Sequence, residues 1–157
     1  MARRFDAMFV AGVRAHLMAA TAFAPFMVQA RQGLIVHTVA WAFDRYLRNL
    51  AYDVAKAAIV RMAFGMAEEL RPYHVTAVAL APGFMRTERV LVEHGKAPFD
   101  LSETESPLYI ARAVLALATD PHVLERSGKV LTVGELAREY GFTDIDGRQP
   151  EPFRMPD

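Results

Sequence analysis

Apolar residues recur at steps of three and four along the first thirty positions, through Phe9, Val13, Leu17, Ala20 and Ala24, with Asp6 near the start and Arg31 near the end. That pattern predicts a long amphipathic helix over about 5–30, stopped by Gly33. The period then changes. Leu34 to Ala40 is a short β-branched run, the signature of a buried parallel strand. Trp41 to Leu50 mixes aromatics with Asp44, Arg45, Arg48 and Asn49 and predicts a loop. A second helix follows from about Leu50 to Leu70, rich in alanine and methionine, with Pro72 as its stop. Val75 to Leu80 reads as the next strand, ended by Pro82-Gly83. A polar stretch from Phe84 to Pro107 connects to a helix around 108–119, a last strand over 128–133 and a short helix over 135–140 ended by Gly141. From Asp144 onward an extended, weakly ordered tail is expected.

Helix, strand, helix, strand, loop, helix, strand is the order of an α/β fold: a parallel sheet of about three strands with right-handed crossovers and flanking helices. At 157 residues one domain is expected, over 1–143, with 144–157 as the tail. Eighteen basic and eighteen acidic side chains cancel and form no long block, so no nucleic-acid partner is expected. The absence of cysteine excludes disulfides and thiol catalysis and fits a reducing compartment, with the cytoplasm as the expected location. Leu17 to Val28 is too short to cross a bilayer and is broken by Pro25, so no membrane association is expected. Arg14 and His16 interrupt the apolar residues near the start and argue against a signal peptide.

The chemistry concentrates in two places. Tyr52 stands four residues before Lys56, which puts both on one helical face. An unperturbed tyrosine titrates near pH ~10, so it works as an acid or base at neutral pH only when a neighbouring charge stabilises its phenolate, and the lysine ammonium can do so. The second place is Pro82-Gly83, with Thr87 four residues beyond the glycine. A strand ending in this way lets a backbone approach a flat ring, and the threonine hydroxyl can meet a carboxamide or phosphate. The five histidines are scattered and point to no metal site. Met62, Met66 and Phe64 are read as core or subunit contact, and Arg86, Glu88 and Arg89 as solvated surface.

Tyr52, Lys56, Pro82, Gly83 and Thr87, in this order and separation, resemble the second half of a short-chain dehydrogenase/reductase over about residues 5–140. The resemblance implies a partial Rossmann-like sheet, NAD or NADP as cofactor, and a small carbonyl or alcohol as substrate. It further implies Tyr52 as acid/base, Lys56 as its modulator and ribose contact, and Pro82, Gly83 and Thr87 facing the nicotinamide. The helices near 5–31 and 51–70 resemble those through which the family forms oligomers.

The pattern departs from that family at three points. Where a serine holds the substrate oxygen the chain has Val39 and Ala40, neither of which donates through its side chain, with Thr38 the nearest hydroxyl. Gly12 stands where an asparagine would order a relay water. No glycine-rich phosphate loop precedes Phe5. The expectation is a truncated dehydrogenase chain whose first strand has an open apolar edge. Its rival is a non-catalytic remnant or oligomerisation module built on the two long helices.

Overall fold

The computed structural model describes residues 2–40 and 45–152. Positions 41–44 of the expected loop and 153–157 of the expected tail lie outside them. Helix runs unbroken from Ala2 to Ala30, as α1 (Ala2–Met8), a π-helical turn (Phe9–Arg14) and α2 (Ala15–Ala30). Pro25, expected to break it, lies inside α2 on an exposed position, where a carbonyl left without its amide partner can be hydrated. The stop is Arg31 rather than Gly33: Arg31 takes the left-handed conformation, and the N–H groups of Arg31 and Gln32 reach Val28 O and Met27 O. Gly33 is required for space, since a Cβ there would lie 2.6 Å from the Met27 side chain.

Three parallel strands, β1 (Gly33–Thr38), β2 (Val75–Ala81) and β3 (Val130–Thr132), form a sheet in the order β1-β2-β3. Gly33 to Thr38 pairs with Val75 to Leu80, and Ala79 to Ala81 with Val130 to Thr132. β2 is central and buried along its whole length. Its period of two divides the core. Val75, Ala77, Ala79 and Ala81 pack with Ala20 of α2 and with Ile59, Ala63 and Ala67 of α3 (Leu50–Leu70), where small side chains on both sides allow helix and strand to approach closely. Val78 and Leu80 pack with Tyr109, Ala113 and Leu117 of α5 (Pro107–Thr119) and with Val133, Leu136 and Ala137 of α6 (Val133–Tyr140). Among the described residues β1 pairs only with β2, so its other edge carries no strand.

Two local differences have physical causes. The stretch 84–107 contains α4 (Glu88–Lys96), which buries none of its residues and so lacks a core-facing signal. Val133, expected in the last strand, instead opens α6, because Thr132 caps that helix by accepting from Glu135 N at 3.3 Å while its hydroxyl meets the Glu135 carboxylate at 2.6 Å.

The segment after Gly141 packs back on the domain. Asp144 is only 1% exposed. Gln149 donates to Ala137 O and Phe142 O, both at 2.9 Å, and a Cβ on Gly134 would lie 2.6 Å from Pro152 N. By length and composition alone, the continuous helix Ala2–Ala30, of which Leu17 to Val28 is a part, is long and apolar enough to cross a membrane, a test that a core helix or a signal sequence also passes.

Candidate active site

Tyr52 and Lys56 lie in the first two turns of α3, and Lys56 reaches the end of β1. Asn49 caps this helix, its side chain accepting from Tyr52 N at 3.3 Å, and the Asp53 carboxylate accepts from Leu47 N at 3.1 Å. The tyrosine therefore sits where its backbone is held by the cap. Lys56 Nζ donates to Thr38 O, the last residue of β1, at 3.2 Å and lies 5.6 Å from the centroid of the Tyr52 ring.

Burial raises the Tyr52 hydroxyl above its ordinary value and lowers the Lys56 ammonium below its own. A hydroxyl raised in this way keeps its proton at neutral pH.

Thr38, whose side chain is exposed, ends β1 at this site; Val39 beyond it is 3% exposed and packs against Ile59 and Ala63. The position read as the substrate-holding serine is thus filled by core. Gly12 falls inside the π-helical turn, whose Val13 packs on the same cluster as Val39 and Ile59. Such turns widen the backbone locally and occur often beside functional sites.

Two histidines meet beside this site, although the sequence treated them as unrelated. His16 Nδ1 and His37 Nδ1 are 3.0 Å apart, and His37 Nε2 lies 3.3 Å from Met66 Sδ. One assignment serves both contacts: His37 donates from Nε2 toward the sulfur and accepts at Nδ1 from His16, which leaves His16 Nε2 as a free acceptor. Burial and the neighbouring His16 push His37 down to about 4, and burial with the Lys56 charge lowers His16. Both are neutral at physiological pH. A spacing of 21 residues across two elements left no linear signal for this pair. Among the described residues no group of three or more His, Cys, Asp or Glu side chains could hold a metal ion.

Pro82 and Gly83 follow directly from β2, half-buried. Thr87 caps α4, accepting from Val90 N at 3.4 Å. Arg86, read as solvated surface, is instead held: it donates to Thr104 O at 2.8 Å and Thr104 Oγ1 at 3.0 Å and lies 3.6 Å from the Asp144 carboxylate. Glu88 and Arg89 are exposed.

The family model for short chain dehydrogenases matches residues 1–94. The chain belongs to the short-chain dehydrogenase family. Dehydrogenase/reductase SDR family member 1 of Mus musculus is 40% identical over 153 residues, covering 90% of this chain and 49% of the mouse protein. The chain thus spans about half the length of the curated relatives it matches. A short chain dehydrogenase from Mycobacterium thermoresistibile has the same fold (TM-score 0.77, 24% identity, 96% of this chain and 54% of that one). So does ElxO, solved with NADP bound (TM-score 0.72, 20% identity, 82% of this chain and 56% of that one). The oxidoreductase relationship and the partial Rossmann-like sheet expected from the sequence are borne out.

Proposed function

We propose that this chain is the catalytic-helix half of an NAD(P)-dependent oxidoreductase that interconverts a small alcohol and its carbonyl. The observation that carries the reading is the Tyr52–Lys56 pair on one face of α3, with the lysine fixed to the end of β1. Lys56 spends one N–H on Thr38 O, and its remaining donors fit a nicotinamide ribose. Pro82 and Gly83 at the end of β2, with Thr87, are the groups that would face the ring. A phosphate cradle has no counterpart among these residues, so the fit covers the nicotinamide side alone.

When bound, a nicotinamide supplies or accepts the hydride. Tyr52 holds the proton at its phenolic oxygen and passes it to the carbonyl oxygen as that oxygen gains charge, or takes it from the alcohol in the reverse direction. Lys56 keeps a positive charge beside the ring so that the phenolate left behind costs less. No side chain at Val39 or Ala40 can donate to the substrate oxygen, so Tyr52 must orient the substrate as well. Tyr52→Phe keeps the ring and removes the transferable proton. Loss of carbonyl reduction with retained folding is the expected result, and unchanged turnover would overturn the role.

A second reading has its own observation. Val10, Leu17, Met18, Phe23 and Phe26 of the first helical stretch and Phe64 of α3 are exposed apolar residues, the surface expected of a homo-oligomer or of a module with no chemistry. A monomer at micromolar concentration would count against it. With no net charge and no cysteine, we place the chain in the cytoplasm, without nucleic-acid partners.

A further inference from the structure

The two ends of the loop after Pro82-Gly83 are joined by their own backbone. Glu105 N donates to Phe84 O at 3.0 Å and Arg86 N to Glu105 O at 2.8 Å, a parallel bridge between Met85 and Glu105. The segment from Thr87 to Thr104, α4 included, runs out from this bridge and back, with a further tie where Arg148 donates to Ser102 O. The Glu105 side chain is turned inward: the residue is 2% exposed, and its Oε1 is buried without a hydrogen-bond partner. A carboxylate in that position lacks the partners an ion needs, whereas a neutral carboxyl tolerates it far better.

Charged and titratable groups face Glu105 from each packed element. Arg86 comes from the start of the loop and Asp144 from the segment after α6, Tyr109 of α5 lies beside it, and the backbone N–H of Gly83 points at it from the end of β2. Behind these stand Asp146, 3.8 Å from Arg86, and Arg138 and Glu151 near Tyr109. Asp144 is fully engaged, accepting from Ser106 N and Ile145 N, each at 2.7 Å, and from the Ser106 hydroxyl. Its charge is thereby fixed next to Glu105, and Arg86 is shared between Thr104, Asp144 and Asp146.

We propose that Glu105 is a proton-controlled clasp, which holds the two ends of the 84–106 loop together when its carboxyl is protonated and loosens them when it ionises. Burial, and after it the Asp144 charge, raise this carboxyl to about 7 against the opposing Gly83 N–H and Arg86, so the change falls in the physiological range. Because the clasp sits next to Gly83, its state sets how firmly the Pro82-Gly83 turn is held. The inference stands on the loop's own geometry and needs no bound cofactor.

The test is amide hydrogen exchange on the whole chain, corrected for the intrinsic pH dependence of exchange, at the amides of Arg86 and Glu105. Between pH 6 and pH 8 their protection should fall about tenfold, while that of β2 amides stays level. Glu105→Gln, a permanently neutral side chain of the same shape, should abolish the pH dependence and keep the protection seen at pH 6. His94→Gln, which removes the histidine of this loop, should leave the dependence intact. Level protection in the wild-type chain would overturn the clasp, as would a dependence that survives Glu105→Gln or disappears with His94→Gln.

Discussion

The end of β1 and the base of the 84–106 loop make opposite uses of polar side chains. At the first, Tyr52 and Lys56 carry recognisable chemistry on light support: a helix cap from Asn49 and one lysine contact to Thr38 O. At the second, Asp144, Ser106 and Thr104 are buried and densely bonded, half-buried Arg86 is shared between Thr104 and Asp144, Glu105 is buried beside them with one carboxyl oxygen unpartnered, and none takes part in the proposed proton transfer. A group that must exchange a proton with a ligand has to be left with unspent capacity, while groups that hold a loop, such as Asp144 and Arg86, spend theirs within the fold. Chemistry and architecture in this chain are therefore written in different residues.

That contrast can be broken most forcefully at Asp144. Asp144→Ala strips partners from Ser106 N, the Ser106 hydroxyl and Ile145 N and leaves Arg86 less compensated, so a loss of about 3 kcal/mol or more is expected in urea unfolding. A change below about 1 kcal/mol would show the network to be ornamental. The next largest effect concerns Glu105. Its folded-state carboxyl lies near 7, above the ordinary 4.5, so the native state binds the proton more tightly than the unfolded chain. Stability therefore declines as pH rises from about 4.5 to about 7. Glu105→Gln should raise stability at pH 8 by roughly 2 kcal/mol and change it little at pH 4.5; the reverse order would refute the sign. Smallest is Tyr52→Phe, expected within about 0.5 kcal/mol of wild type, since the ring and its packing remain. A loss larger than about 2 kcal/mol would place Tyr52 among the architectural residues instead.

The same division explains what the sequence disclosed. Long periodic elements were legible: α3 spans the predicted 50–70, and β2 extends the predicted run by one residue to Ala81, because burial imposes its period on every turn or alternate position. Elements without a buried face were not, hence the missed α4. Tyr52 and Lys56 were visible because a helix keeps partners four residues apart. The His16–His37 pair and the meeting of Arg86, Glu105 and Asp144 were invisible because their spacings, 21 residues and up to 58, are set by tertiary folding alone. Asp144 misled for a specific reason: in a stretch rich in Asp, Arg and Pro it looks like tail, and its distant partners, Ser106 at the N-terminus of α5 and Arg86, are brought to it by tertiary folding.

The central claim, that the Tyr52–Lys56 face is a nicotinamide site, is tested most directly by titrating the purified chain and its Lys56→Ala variant with NADH and NADPH, following cofactor fluorescence and heat together. Without a phosphate cradle the expected binding is weak but saturable, with Kd on the order of 1 mM, and it should be lost in Lys56→Ala. No saturable binding at millimolar cofactor, or equal binding by the variant, would contradict the site and leave the exposed helices as the chain's working surface.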